Sequence, residues 1–437
     1  MFQTVGTVRR GPQSPSEPSI PVCAREANEP HPELPVTGGA DVIVCGGGLG
    51  GVVAAIASAR NGCDTLLVER SGFLGGSAVA ALTTTLAGFR SHSGPGSAQL
   101  VRGIGQEIVG ELIETQAGAA RRAGGEVGQR LGAGGALSTS RTPYAIRFDP
   151  QQLTYVVLRM CQEARVRLLL DTWCCGALVE GAAVRYLAIE SKSGRQALRA
   201  AITVDATGDG DVAAAAGVPH EVPSDEEAQA VETRMMYRLA GADTGARDGA
   251  AGAIVPRAPA AFRPRHMPDV GTADVSARLA AQASHEEIRR RRGRELQRPR
   301  EAEEATLERP TRRIRAEYVL SHADAMQGRR FRDAIAICPA PPVAGGREAP
   351  EHQGFDVPYR ALVPLQIEGL LLAGECVSAE HAARRATALA GPNMAISQAA
   401  GTAAALCVRE GRQPRELDVR LLQGALVAQG AELLGRP

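Results

Sequence analysis

Three glycines, Gly46, Gly48 and Gly51, stand in the spacing G-x-G-x-x-G between Asp41 and Glu69. Each has a separate physical task in a dinucleotide site. The first permits a tight turn, the second lets the main chain approach a pyrophosphate, and the third lets a helix pack close to the strand before it. Glu69 follows the next apolar run, where a carboxylate can accept hydrogen bonds from two ribose hydroxyls. Gly-rich turns also occur by chance, so the elements that must position these residues decide the reading. Val42, Ile43 and Val44 form a short β-branched run suited to a strand buried on both faces. Val52, Val53, Ile56 and Ala59 place apolar groups on one helical face, and Gly62 is a natural stop. Thr65 to Val68 forms the second strand. A plain βαβ packing unit explains any one of these features; their agreement favours a dinucleotide site.

The chain has 437 residues, 44% of them hydrophobic, which suits one large cofactor-centred unit or two domains. Its formal net charge of +1 gives no global field favouring nucleic acid or a membrane surface. Aromatic residues are only 3%, too few for base-stacking platforms. Lys192 is the only lysine and lies in a polar Ser-Lys-Ser-Gly turn, so a lysine Schiff base is disfavoured. Nine cysteines, none in C-x-x-C spacing and with no secretion signal, point to reduced thiols and a cytoplasmic location. No stretch reaches transmembrane length.

The chain divides by composition. Residues 1–37, rich in Pro, Glu and Ser, read as a disordered leader. Residues 38–220 form the first part of the dinucleotide domain, residues 221–354 a substrate or cap domain with charged insertions, and residues 355–437 the return of the first domain. Within the first part, Leu100, Ile104, Ile108 and Leu112 predict a helix over 99–115, and Asp149-Pro150 supplies an N-cap and N1 proline for another. Val166 to Leu170 reads as a third parallel strand, and 177–190 with 196–204 as a meander. Residues 116–142, dominated by Gly, Ala, Arg and Ser, read as an excursion; its Gly132-Ala-Gly-Gly135 lacks the helix pattern that a second dinucleotide unit would need. His92, in a Ser/Gly/Pro loop, fits a solvated residue better than a catalytic one. The arginine run Arg289 to Arg292 sits among acids, as on a solvated face. In the last part, Tyr359 to Val363 and Leu370 to Ala373 read as strands, and Pro392 as the N1 residue of a small-residue helix from Met394 to Arg409.

Three further segments carry chemistry. Arg70-Ser-Gly-Phe-Leu-Gly75-Gly76 places a second glycine pair just past the ribose acid, suiting a main chain that runs along a longer cofactor. Ile202 to Val212 ends a strand in Ala206-Thr207-Gly208-Asp209; the competing reading there is a strand-to-helix turn with an aspartate cap. Its three aspartates are not followed by the glutamate that a calcium loop of EF-hand type requires. Gly374-Glu375 follows a strand, and the helix from Met394, opened by Gly391-Pro392-Asn393, could turn its N-terminal dipole toward an anionic cofactor group, or simply pack in the core.

The glycine pair at 75–76 and the Ala-Thr-Gly turn resemble FAD-binding flavoproteins of the glutathione reductase type. Five segments in order extend this: the glycine fingerprint, Phe148-Asp-Pro150, Val204 to Asp211, Arg312 to Ile337, and Leu370 to Gly401. Together they resemble the bacterial FAD-dependent oxidoreductase family related to the flavin-carrying subunit of heterodisulfide reductase. The resemblance implies an α/β fold: a Rossmann-like FAD-binding domain, a parallel sheet with a β-meander, carrying an inserted α+β cap. It implies FAD held without a covalent bond, and hydride transfer with a small organic substrate and an unidentified electron acceptor. It places Ala206 to Asp209 and Gly374-Glu375 at the cofactor, with Glu375 on the ribityl chain. It makes His381 the candidate acid/base beside the flavin, with Arg384 and Arg385 as anion anchors; a packing histidine remains the alternative. Several positions depart from the family. Glu375 stands where members place arginine, Ala388 replaces another arginine, Gly391-Pro392-Asn393 replaces Pro-Thr-Cys, and Cys338-Pro-Ala-Pro-Pro342 replaces an Asp-x-His segment. A flavin-binding subunit without its own substrate oxidation is therefore the alternative function. The clustered cysteines of an iron–sulfur protein are missing, so such clusters are not expected.

Overall fold

The computed structural model describes residues 34–80, 83, 85–92, 95–122, 144–222, 235–239, 302–306, 312–341 and 352–433. The expected leader up to residue 33, the stretch 123–143 with its glycine run, and most of the expected cap lie outside the described residues.

β1 (Val36–Cys45) starts two residues before the expected domain edge at 38 and leads through the glycine turn into α1 (Leu49–Arg60) and β2 (Thr65–Val68). A short helix α2 (Ser77–Ala80) and strand β3 (Thr85–Ala87) follow. Helix α3 is Ile104–Arg122 rather than 99–115. Gly103, at φ +61, breaks the chain before it, and the N–H of Ile104 donates to the buried Gln398 side chain at 3.0 Å. Leu100 therefore packs in the core from a loop, which helical spacing alone could not reveal. β4 (Ala145–Arg147) pairs with β3, and α4 (Pro150–Glu163) opens as expected, Asp149 accepting from the N–H groups of Gln151 and Gln152.

β5 (Arg167–Leu169) pairs parallel with β2. The meander has three strands, not the two expected runs: β6 (Trp173–Glu180), β7 (Ala183–Ser191) and β8 (Gly194–Asp205). Helix α5 (Asp211–Ala215) and β9 (His220–Glu221) follow. Inside the expected cap, β10 (Met235–Leu239) pairs antiparallel with β11 (Ala302–Thr306). β12 (Arg313–Ile314) returns to pair with β9, and α6 (His322–Gln327) is closed by a Ser321/Asp324 capping box. β13 (Ala334–Cys338) pairs with β14 (Phe355–Pro358). The expected strand at Tyr359 to Val363 is instead a 3-10 turn, Tyr359–Leu362. Pro358 has no N–H to continue the ladder, so the strand ends there. β15 (Leu370–Leu372) is followed by α7 (His381–Thr387), α8 (Ala390–Glu410) and α9 (Val419–Ala428).

Seven of the described strands form one sheet in the order β5-β2-β1-β8-β7-β6, with β15 also on β8. The two halves of β8 take different neighbours: residues 194–199 pair with β7, and residues 203–205 pair parallel with β15. The meander thus peels away from the sheet while β15 fills its place. Alternate residues of β1 serve different layers. Val42 and Val44 pack with α1, α3, α4 and α8; Ile43 and Cys45 pack with the meander and α5. Both faces are buried, which is why the run reads apolar without alternation.

Helix α8 begins at Ala390, four residues before the expected Met394, with Pro392 third rather than first. A proline fits there because the first four N–H groups of a helix have no intrahelical partner. Small residues let α8 cross close to α1. A Cβ on Gly401 would lie 2.0 Å from the carbonyl oxygen of Ala54, and one on Gly50 would lie 2.7 Å from the Ser397 hydroxyl.

Candidate functional site

The parallel strands β1, β2, β8 and β15 deliver their C-terminal ends to one crevice, where ligands bind in open α/β sheets. At Gly46, φ is +102, and a Cβ would lie 2.4 Å from the carbonyl oxygen of Ala206. A Cβ on Gly51 would lie 1.7 Å from the carbonyl oxygen of Gly46. Packing alone demands glycine at these two positions. Gly48 differs: a Cβ there would meet nothing nearer than the Cα of Gly76 at 3.8 Å. The protein's own atoms do not require glycine at 48, so the space a side chain would fill is left to the crevice. The first N–H groups of α1 open onto the same place, a ready anion site.

The second glycine pair backs this turn. The N–H of Gly75 donates to the carbonyl of Gly47 at 2.9 Å, and Gly76, at φ +53, brings its main chain against Gly48. Glu69, almost fully buried, accepts from the N–H of Gly47 with one oxygen and from the N–H of Ser71 at 2.7 Å with the other. It therefore ties both loops together. Each carboxylate oxygen keeps a second lone pair for a ribose hydroxyl. Arg70 is exposed at the edge of this site.

At the end of β8 the organising residue is Asp205, wholly buried and not singled out from the sequence. Its Oδ1 accepts from the N–H and hydroxyl of Thr207, at 3.1 and 2.7 Å, and its Oδ2 accepts from the N–H of Ala213 at 2.8 Å. Burial pushes the carboxyl above its ordinary range, against the pull of these bonds. The Cys376 thiol accepts from the N–H of Gly208 at 3.2 Å, and burial raises it well above an ordinary thiol. Ala206, Thr207 and Gly208 are thus held in a turn, with Gly208 at φ +87 and no atom within 4 Å of where its Cβ would be. Asp209 is held by Arg312. It accepts from the N–H of Arg312 at 2.9 Å and from the Arg312 guanidinium, which also reaches Asp211 at 2.7 Å. The one signal for Asp205 in the sequence is an acid closing the apolar run Ile202-Thr-Val.

Gly374, at φ +57, is packed against the Asn393 amide, 3.0 Å from where its Cβ would be. The buried Oδ1 of Asn393 has no hydrogen-bond partner. Glu375 is partly buried; burial raises its carboxyl, and the Arg384 guanidinium partly offsets this. Arg384 donates to the carbonyls of Arg312 at 2.9 Å and Gly208 at 3.1 Å, so two donors of this expected anion anchor are committed to main chain. Arg385 is exposed. Met394, expected at the cofactor, has its side chain wholly buried in the core, against Gly105. His381 opens α7, but its side chain lies outside the described residues. His92 is exposed.

Among the described residues no group of His, Cys, Asp and Glu could hold a metal ion, and no helix is long and apolar enough to cross a membrane. The eight described cysteines are all free thiols.

No curated protein matches the chain. Solved structures resemble it at low identity. The THI4 protein of Thermovibrio ammonificans is 19% identical over 42% of this chain and 65% of its own, with a TM-score of 0.29. The p-nitrophenol 4-monooxygenase PnpA of Pseudomonas putida is 12% identical over 89% of this chain and 84% of its own, with a TM-score of 0.43. The myxobacterial chondrochloren halogenase CndH is 15% identical over 89% and 79%, with a TM-score of 0.44. The chain thus spans slightly less than two thirds of the first of these relatives. The model of the FAD dependent oxidoreductase family matches residues 41–307 and 304–426. That match spans nearly the whole region from β1 to α9, and the chain belongs to the FAD-dependent oxidoreductase family.

Proposed function

We propose that this enzyme transfers a hydride between FAD, bound without a covalent link in the crevice at the strand ends, and a small organic substrate. The observation that carries the placement is Gly48, the one fingerprint glycine that internal packing does not demand. The buried, unpartnered Asn393 oxygen fits the same reading, since a polar cofactor would supply its missing partner. Gly46, Gly48, Gly51 and the first turn of α1 would hold the pyrophosphate; Glu69, with Arg70, Gly75 and Gly76, the adenosine ribose side. Ala206 to Asp209, Gly374, Glu375 and Asn393 would hold the ribityl and flavin side. When bound, the flavin supplies the hydride-accepting ring that no side chain offers. The protein's part is to orient it, shield it from water, and manage protons beside it. His381, at the start of α7, is proposed for the last task, with Arg385 of the same helix as an anion anchor. Within the family we place the chain near the flavin-carrying subunit of heterodisulfide reductase, on the segment order from the fingerprint through Val204–Asp211 to Leu370–Gly401.

The test is anaerobic mixing of the purified holoprotein with candidate small-molecule donors, following the flavin absorbance. Bleaching by one donor class, slowed in His381→Ala but with FAD retained, supports the reading. A flavin that stays oxidised with every donor supports the alternative, a flavin-binding subunit without its own substrate oxidation. Rapid bleaching by micromolar NADH or NADPH would contradict the expectation of no dedicated nicotinamide domain.

A further inference from the structure

Arg384 is a charged side chain largely buried within the protein, and it joins three segments far apart in sequence. From helix α7 its guanidinium reaches the Gly208 carbonyl at 3.1 Å, in the turn after β8, and the Arg312 carbonyl at 2.9 Å, ahead of β12. Arg312 in turn grips Asp209 and Asp211 on the other side of that turn. The Gly208 turn is thus anchored at both ends: Asp205 and Cys376 hold it from below, Arg384 and Arg312 from the side. Nothing lies within 4 Å of where a Cβ on Gly208 would be, so this turn is open to a ligand. The Nε of Arg384 is buried without a partner, next to the segment carrying Glu375. Burial also pushes this guanidinium below its ordinary value, so holding the charge here is costly. A guanidinium presents donors in a fixed planar fork, which suits two carbonyls from different segments.

We propose that Arg384 is a positioning residue for the cofactor: by clamping the Gly208 carbonyl to Arg312 and α7, it fixes the main-chain turn that receives FAD. This rests on FAD occupying the crevice. It differs from a substrate-anchoring role, because the donors are spent on the protein's own carbonyls and the effect is felt in cofactor binding before any substrate arrives.

The experiment compares the parent, Arg384→Met, Arg384→Lys and Arg412→Met as apoproteins. It measures melting without FAD, the FAD dissociation constant by titration, and the visible circular dichroism of bound FAD. The expected result is a loss of FAD affinity of roughly tenfold or more in Arg384→Met, the size of one charge-assisted hydrogen bond. Arg384→Lys should rescue little of it, since an ammonium keeps the charge but not the fork, and both variants should alter the dichroism of bound FAD. Arg412→Met, at an exposed position after α8, should match the parent. The proposal is overturned if Arg384→Lys restores parental affinity and dichroism, which would leave charge alone as the requirement. Parental affinity in Arg384→Met overturns it too. So does failure of both Arg384 variants to give a folded apoprotein, which would make the residue a folding element. A parent that binds no FAD indicts the placement of the cofactor, and that failure is seen before any variant is compared.

Discussion

Glu375 sits partly buried at the end of β15, its carboxyl raised by burial and eased by Arg384. If it hydrogen-bonds the ribityl chain, Glu375→Ala loses a charge-assisted bond worth about 1.5–3 kcal/mol, or roughly tenfold to a hundredfold in FAD affinity. Titration of the apo-variant with FAD reads this directly; unchanged affinity would remove Glu375 from the site. The same shift gives a pH signature in the apoprotein. A carboxyl whose folded pKa is raised costs nothing while protonated in both states. It destabilises the fold as pH rises above the ordinary glutamate value of about 4.3 through the folded value. Glu375→Gln should therefore flatten the fall in apoprotein stability across that limb, measured by urea unfolding at a series of pH values. At this scale the glycines were legible and the clamps were not. Gly46, Gly51, Gly75 and Gly76 announce backbone demands at fixed spacing. Asp205, Cys376, Arg312 and Arg384 act through partners up to 176 positions away in the chain, and no local pattern encodes such pairings.

Among the elements, α8 is where composition and packing agree. Its alanines and glycines are not a low-complexity accident, because the helix needs small residues to cross α1 at main-chain distance. Gly401→Ala would push a methyl against the Ala54 carbonyl and should cost about 1–3 kcal/mol in urea unfolding. A neutral result would mean the two helices are farther apart than described. By contrast, Asp149→Ala removes a cap that accepts two N–H bonds and should cost about 1 kcal/mol. The sequence revealed the start of α4 because cap and proline sit together. It misplaced the starts of α3 and α8, which depend on Gln398 of another helix and on a proline tolerated at the third position. The 3-10 turn at Tyr359 was also hidden, since its apolar residues are buried in either conformation.

For the whole molecule, the sheet explains why one crevice collects residues from four separate stretches of sequence. Parallel strands β1, β2, β8 and β15 end at the same edge, so the loops after them meet however far apart they lie in the chain. That convergence could be anticipated from the order of motifs; the hand-over on β8 from β7 to β15 could not, because it depends on which half of one long strand each partner takes. The central claim is that FAD lies in this crevice along Gly48. The most direct measurement is to purify the parent and Gly48→Val, record their visible spectra, and identify any cofactor released on denaturation. The account predicts a yellow parent that releases FAD, and a Gly48→Val protein that melts like the parent apoprotein but is colourless and cannot be reconstituted. A colourless parent that takes up no FAD, or a Gly48→Val variant that binds FAD as the parent does, would contradict it.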